Sequence, residues 1–326
     1  MLLVTGGAGF IGSNLVAELN AAGRDDVVVS DTLGIGDKWR NIGKRRFADL
    51  VPPRELMAWL SGRKLDAVLH LGAISDTTAS DGDLVMETNF RFSMRLLDWC
   101  AATGTPFIYA SSAATYGDGE AGFKDDWSSD YLQSLRPRNL YGFSKHIFDQ
   151  ALVARAKNGA AMPPQWVGLK FFNVFGPNEY HKGEMMSLIA KRYAQAARGE
   201  PVRLFKSYKE GIADGEQKRD FIYVEDAVAV MCWMLQRPSV SGIFNAGTGR
   251  ARSFNDLISA LFHALGRSPD IQYIDMPPAI RAQYQYFTQS SVENLRGAGY
   301  NGDFLSLEES VKRYVTRFLG QADPYR

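Results

Sequence analysis

The sequence predicts an α/β fold: a doubly wound parallel sheet with a smaller, discontinuous α/β lobe. Three observations carry that expectation. Short, continuous apolar runs recur through the first 170 or so residues, amphipathic helical stretches separate them, and a glycine-rich loop joins the first run to the first helical stretch. The runs Leu2–Val4, Val27–Ser30, Ala67–Leu71, Phe107–Ala110 and Trp166–Phe171 are too short for buried helices and read as strands covered on both faces. Between them, Ile11–Asn20, Leu84–Ala101 and Tyr141–Ala156 place apolar residues at helical spacing. Strand and helix in alternation imply parallel pairing with helices on both sides.

After Phe172 the texture changes. Gly176-Pro177-Asn178 is turn chemistry, a helix is expected from about Met185 to Arg198, and the polar stretch Lys206–Lys218 reads as an exposed excursion. Phe221–Val224 reads as a strand and Glu225–Leu235 as a helix, followed by loops and short helices around Pro269, Pro277 and Pro278. Residues 1–172 and 219–246 are therefore assigned to the sheet domain, and 173–218 with 247–326 to the lobe.

Bulk properties narrow the function. With 37 basic and 36 acidic residues the formal charge is +1, which gives no footprint for nucleic acid or an anionic membrane. The opening Met1-Leu2-Leu3-Val4 runs straight into glycines with no basic leader, and no apolar run approaches the ~20 residues a membrane span needs. A cytoplasmic location is expected. Cys100 and Cys232 lie far apart, outside any metal-ligand spacing, and no metal site is expected.

Thr5-Gly6-Gly7-Ala8-Gly9-Phe10-Ile11-Gly12 follows the first strand and opens the first helix. Gly6, Gly9 and Gly12 permit a tight turn, backbone approach to a pyrophosphate and close helix–strand packing, with the helix N-terminus facing the phosphates. Asp31, at the end of the second strand, is placed to accept hydrogen bonds from an adenosine ribose. These residues predict a Rossmann-type site for a nicotinamide dinucleotide. Asp31 alone favours NAD, whereas Lys38 and Arg40 in the next loop are suited to a 2′-phosphate, so the residues leave NADP and NAD open.

A second constellation lies downstream. The fifth strand ends in Ser111-Ser112, and about thirty residues later comes Tyr141-Gly142-Phe143-Ser144-Lys145. Tyr141 and Lys145, four apart, share a helix face. An ammonium near the phenol is expected to lower its pKa, so that Tyr141 can exchange a proton with a substrate hydroxyl while Ser112 bonds the same oxygen.

Together these residues resemble the extended short-chain dehydrogenase/reductase family of nucleotide-sugar enzymes, over essentially the whole chain. The blocks are TGGAGFIGSN, YASSAATYG, NLYGFSK, FFNVFGP, HKGEM, RDFIYV, FNAGTGR and YQYFTQ. HKGEM and YQYFTQ resemble the subgroup that epimerises ADP-linked heptoses at C6. The resemblance implies NADP, a transient ketone at C6, and an acid/base group on each side of that carbon: Tyr141 on one and Lys182 on the other. It implies that the cofactor meets Gly6, Gly9, Phe10, Ile11, Gly12, Asp31, Thr32, Lys38, Leu71, Gly72, Ala73, Ser75, Asn89, Val174 and Lys182, with Lys145 at the nicotinamide ribose. It implies that the ADP-sugar meets Ser112, Asn173, Glu184, Phe205, Arg219 and Tyr284, Arg219 at a phosphate. A homo-oligomer, built of pentameric units, and a role in lipopolysaccharide core synthesis are implied in the same way.

Some positions depart from the pattern. Glu184 stands where relatives carry a small hydroxyl residue, Thr32 replaces an asparagine after Asp31, Pro52-Pro53 occupies a cofactor-loop position, and the 206–218 excursion is longer. Other chemistries of the family fit less well. Dehydratases place an acidic pair after the strand-five serine, where this chain has Ala113 and Ala114, and epimerase–reductases place a cysteine at Ala113. A UDP-hexose 4-epimerase, which needs one tyrosine only, is the enzymatic rival. A non-catalytic dinucleotide-binding protein is the other, and the intact Ser112, Tyr141 and Lys145 weigh against it.

Overall fold

The computed structural model describes residues 1–281 and 284–326, without the side chains of residues 279 and 280. Its strands are β1 (Leu2–Thr5), β2 (Val27–Ser30), β3 (Asp49–Val51), β4 (Ala67–His70), β5 (Phe107–Ser112), β6 (Trp166–Phe171), β7 (Asn173–Phe175), β8 (Val202–Phe205), β9 (Lys218–Tyr223), β10 (Gly242–Ala246), β11 (Ala251–Ser253) and β12 (Ile271–Ile274).

Seven of them form one sheet in the order β10-β6-β5-β4-β1-β2-β3, every neighbouring pair parallel. All residues of β1, β2, β4, β6 and β10 are buried, as continuous apolar runs require of strands covered on two faces. Helices Phe10–Ala21 and Val224–Leu235 cover one face with Leu15, Val16, Val228 and Met231. Helices Pro53–Trp59, Phe92–Thr103 and Leu140–Lys157 cover the other with Leu56, Leu96, Phe148 and Leu152. The chain runs outward from β1 through β2 to β3 and then returns to β4 on the other side of β1. Such a reversal opens a crevice at the carboxyl ends of β1 and β4, where ligands of doubly wound sheets bind.

The second lobe has its own apolar cluster, with Phe175, Ile189, Leu204, Leu261 and Val311. Parallel β8–β12 and the three-stranded β11-β9-β7 frame it.

Several elements differ from the sequence reading. The helical stretch after Leu84 is not one regular helix: Gly82–Met86 passes through a π-helical turn at Glu87–Arg91 before Phe92–Thr103. The helix expected from Met185 begins at Leu188, because the Ser187 hydroxyl accepts from the Ala190 amide and caps it there, while Tyr180–Met185 forms a separate 3₁₀ segment. The 206–218 excursion is exposed only at residues 208–211, 213 and 218. Gln217 is buried, and the Asp214 carboxylate accepts from the Ser207 amide, so the base of the excursion is folded back onto the lobe. Among the described residues, no helix is long and apolar enough to cross a membrane, and no cluster of His, Cys, Asp or Glu could hold a metal.

Candidate active site

A cavity of about 730 Å³ opens at the switch point and runs between the sheet and the lobe. Its floor is the glycine loop. A Cβ added at Gly12 would meet the Gly6 carbonyl oxygen at 2.1 Å, and one at Gly6, where φ is 68°, would meet the Gly72 nitrogen at 2.6 Å. Backbone packed this closely leaves the helix N-terminus bare toward the cavity, where a pyrophosphate would fit.

Asp31 stands at the far end of that floor. Its Oδ2 accepts from the Ala8 amide at 2.9 Å, and its Oδ1 accepts from the Lys38 ammonium at 2.6 Å. The ribose acid is thus already neutralised by the residue suited to a 2′-phosphate. Thr32 is exposed, and its carbonyl accepts from Lys38 at 2.8 Å. Leu71, Gly72, Ala73 and Ser75 line the cavity beside the loop, with Phe10 and Ile11 from the first helical turn.

Asn89 lies off the cavity. It is fully buried in the π-helical turn; its Oδ1 accepts from the Ile74 amide, and its Nδ2 donates to the Ile74 carbonyl and to Ser144 Oγ. Every polar group of its amide is thereby used, which corrects its expected place in the cofactor wall: it braces the 72–75 loop against the Leu140–Lys157 helix. π-Helical turns of this kind often mark functional sites.

Ser112, Tyr141 and Lys145 line the same cavity. Ser112 ends β5, and Asn139 caps the helix carrying Tyr141 and Lys145 by accepting from the Gly142 amide at 2.8 Å. Lys145 is buried, and among the described residues its ammonium meets no hydrogen-bond acceptor. Burial pushes it down to about 8, with the Asp149 carboxylate opposing. A buried ammonium aimed into a cavity is suited to the hydroxyls of a bound ribose.

The lowered phenol pKa expected for Tyr141 does not hold. Burial pushes it up, the Ser112 hydroxyl draws it down, and the Asp149 charge pushes it up again. The helix spacing showed the lysine but not the carboxylate one turn further along, which faces the same interior.

Lys182 reaches the cavity from the 3₁₀ segment of the lobe. Its ammonium lies 5.2 Å from the Phe10 ring centroid, and burial lowers its pKa while Glu179 raises it. Glu179, which the sequence reading passed over, holds this segment. It is fully buried, accepts from Ser187 Oγ at 2.7 Å and from Tyr314 OH at 3.1 Å, and takes the Ser187 and Gly176 amides as well. His181, next to Lys182, also lines the cavity.

The expected sugar-nucleotide residues separate into groups. Asn173, Val174, Phe205 and Tyr284 line the cavity. Glu184 lies at its rim with its side chain 99% exposed, 3.6 Å from the Lys191 ammonium. Arg219 lies behind the wall. It donates to the carbonyls of Lys218 and Gln285 and stacks over Phe254 and Tyr284 at 5.7 and 5.5 Å. The phosphate contact expected of it would require the guanidinium to exchange those carbonyls for the ligand.

Comparison with known proteins agrees with this geometry. The model of the NAD dependent epimerase/dehydratase family matches residues 2–247. The chain is 49% identical, over 100% of both chains, to the ADP-L-glycero-D-manno-heptose-6-epimerase of Nitratidesulfovibrio vulgaris, and 47% identical over the same share to that of Fusobacterium nucleatum. Among solved structures it is similar to the Helicobacter pylori ADP-L-glycero-D-manno-heptose-6-epimerase, with a TM-score of 0.79 and 29% identity over 97% of this chain and 95% of that one. It is also similar to the Thermus thermophilus UDP-glucose 4-epimerase complexed with NAD, with a TM-score of 0.74 and 27% identity over 98% and 99%. The floor, the Ser–Tyr–Lys set and these likenesses agree, and the chain belongs to the NAD dependent epimerase/dehydratase family.

Proposed function

We propose that this protein inverts C6 of ADP-D-glycero-β-D-manno-heptose to the L-glycero form through a 6-keto intermediate, with a tightly held NADP. One observation carries the reading: two side chains able to move a proton, Tyr141 and Lys182, reach one cavity from opposite domains. A 4-epimerase that turns its ketose in the site needs one such group. The full-length likeness to proteins named for the heptose reaction supports the same choice.

The residues present fit a dinucleotide: a glycine floor that no side chain could share, an acid at the second strand, and a buried ammonium without a protein acceptor. When bound, the nicotinamide supplies reversible hydride acceptance at C6. Tyr141 exchanges the proton of the C6 hydroxyl on one side, and Ser112 bonds the same oxygen as it becomes a carbonyl. Lys182 exchanges the proton on the other side, a task for which its burial-lowered pKa suits it. Lys145 orients the ribose, and Lys38 favours NADP over NAD by pairing with a 2′-phosphate. Asn173, Phe205 and Tyr284 face the sugar nucleotide. The same reading makes the enzyme a cytoplasmic homo-oligomer, on the resemblance alone.

The test is incubation of the purified protein with ADP-D-glycero-β-D-manno-heptose, without added cofactor, following C6 configuration by NMR. Conversion to the L-glycero epimer is expected. No conversion, even with NADP⁺ or NAD⁺ added, but turnover of a UDP-hexose would establish the 4-epimerase reading instead.

A further inference from the structure

The 3₁₀ segment that carries Lys182 is anchored at its two ends and, between them, by Tyr180 donating to the Pro324 carbonyl at 2.9 Å, by the Glu184 carbonyl accepting from Lys191 at 2.9 Å, and by the residue next to Lys182. At the start, Asn178 is fully buried with φ at 73°, a left-handed conformation that asparagine tolerates. Its Nδ2 donates to Ser13 Oγ at 3.0 Å and to the Asn41 carbonyl at 3.4 Å. At the far end the segment turns at Gly183 and runs into Ser187, which Glu179 holds. Between these anchors Lys182 has only its own backbone bond to the Glu179 carbonyl at 3.0 Å. Among the described residues its ammonium has no hydrogen-bond partner.

The anchor next to Lys182 is His181. Its Nδ1 lies 3.1 Å from Nδ2 of Asn41, a fully buried residue that ends the 3₁₀ turn containing Lys38. The same Nδ2 donates to the Ala8 carbonyl at 2.9 Å, and that bond fixes which way the amide faces. An amide nitrogen only donates, so His181 Nδ1 is the acceptor and its proton sits on Nε2. A neutral imidazole is required, and the ring is neutral: partial burial and the ammoniums of Lys38 and Lys182 push it down to about 4, against the Asp31 charge and a bond to the Asn178 backbone that raise it. A continuous path results. Asp31 accepts from the Ala8 amide, Ala8 accepts from Asn41, and Asn41 donates to the neighbour of Lys182.

We infer that Asn41 and His181 are positioning residues for Lys182: their contact fixes the lysine's segment against the glycine loop, so that the second proton-transfer group is set by the cofactor-binding turn. The inference rests on the proposed role of Lys182. Neither residue touches the reacting carbon in this account.

The experiment compares wild type with His181→Phe, which keeps a planar ring but removes the acceptor, and His181→Asn, whose amide oxygen can take the place of Nδ1. Two quantities are read on the protein as purified: steady-state kinetics with the ADP-heptose, and hydrogen exchange of the backbone across residues 180–185. For His181→Phe we expect kcat to fall at least ~10-fold with KM within ~3-fold, and exchange of 180–185 to quicken at least ~5-fold while the glycine loop is unchanged. For His181→Asn both return to within ~3-fold of wild type. Asn41→Leu, if it folds, reproduces the His181→Phe result. A kcat within twofold of wild type in His181→Phe overturns the inference, as does a fall in kcat without quicker exchange, or failure of His181→Asn to restore both. If Lys182→Met retained turnover, the proposed role of Lys182 would fall, while the exchange measurement would still decide whether the contact holds the segment.

Discussion

The Lys170 ammonium donates to the Asp149 carboxylate at 2.6 Å with both side chains fully buried. The pair sits beside Ser112, Tyr141 and Lys145, the proposed catalytic set. Asp149 is one turn beyond Lys145 on the same helix and accepts from Ser111 Oγ at 2.7 Å and from Tyr109 OH at 2.8 Å. Lys170, on β6, also donates to Thr115 Oγ1 at 2.7 Å, and Thr115 in turn donates to the Ser112 carbonyl at 2.8 Å. Ser112 is thus tied to one buried charge pair indirectly, through its neighbour Ser111 and through Thr115, and the pair joins strand, turn and helix.

Removing one member of such a pair leaves the other charge buried without a partner, at a cost of about 3–5 kcal/mol. Lys170→Met and Asp149→Asn are each expected to lose that much stability in urea unfolding. The double variant, which buries no lone charge, is expected to lose clearly less than the sum of the two. Additive losses would mean that the two side chains are not energetically coupled.

The proposed roles of Tyr141 and Lys182 give a second prediction. General acid–base catalysis contributes about 10²–10⁴ in rate. Tyr141→Phe and Lys182→Met should each lower turnover by that order, with dinucleotide still bound as judged by absorbance of the released cofactor. Near-normal epimerisation by Lys182→Met would remove Lys182 from the mechanism but leave the fold assignment untouched.

What the sequence made legible follows from local physics. The strands β1, β2, β4, β5 and β6 were visible because a strand buried on both faces needs an unbroken apolar run. The glycine loop, Asp31 and the Tyr141–Lys145 spacing were visible because each acts over a few residues of chain. Asn89 was assigned to the cofactor wall, yet a π-helical turn directs its amide at Ile74 and Ser144. Composition does not encode that turn. Glu179, Asp149 and Asn41 were missed for a related reason. Each is a polar residue with partners distant along the chain, and only the folded arrangement shows the carboxylates of Glu179 and Asp149 satisfied and the Asn41 amide nitrogen engaged. Arg219 shows the opposite case: a real cation near the site, but with its guanidinium engaged by carbonyls behind the wall.

The proposed preference for NADP rests on Lys38. In this structure it pairs with Asp31, the acid that otherwise selects for an unphosphorylated ribose. A charged hydrogen bond of the kind Lys38 would make to a 2′-phosphate is worth about 1.5–3 kcal/mol. Lys38→Ala is expected to weaken NADP⁺ binding by roughly 10- to 100-fold on that basis. NAD⁺ affinity should hold steady or improve, because Asp31 is released to accept from the ribose hydroxyls. Calorimetric titration with both dinucleotides measures this. An equal loss for the two would show that Lys38 shapes the loop rather than reading the phosphate.

The last prediction concerns acid stability and the floor of the crevice. His70 closes β4 beside Thr5 of β1, with its Nδ1 2.6 Å from Thr5 Oγ1 and its Nε2 2.8 Å from Ser93 Oγ. Thr5 Oγ1 also accepts from the Gly72 amide at 3.1 Å, so this imidazole helps to hold the switch point on which the cofactor floor rests. Burial, aided by the Lys145 charge, pushes His70 down to about 3. The unfolded chain binds that proton below about pH 6.5. Between pH 6.5 and 3 the unfolded state therefore carries one more proton at this site than the folded state, and stability falls as pH falls, by about tenfold in the unfolding constant per pH unit. His70→Gln keeps groups that can meet Thr5 and Ser93 but cannot bind the proton. Urea unfolding at pH 7, 6, 5 and 4 should show the wild type losing stability more steeply than His70→Gln, with the two slopes converging above pH 6.5. Parallel curves through the acid range would mean that His70 is protonated in the fold as readily as in the open chain, and that the Thr5–His70–Ser93 contacts do not depend on a neutral ring.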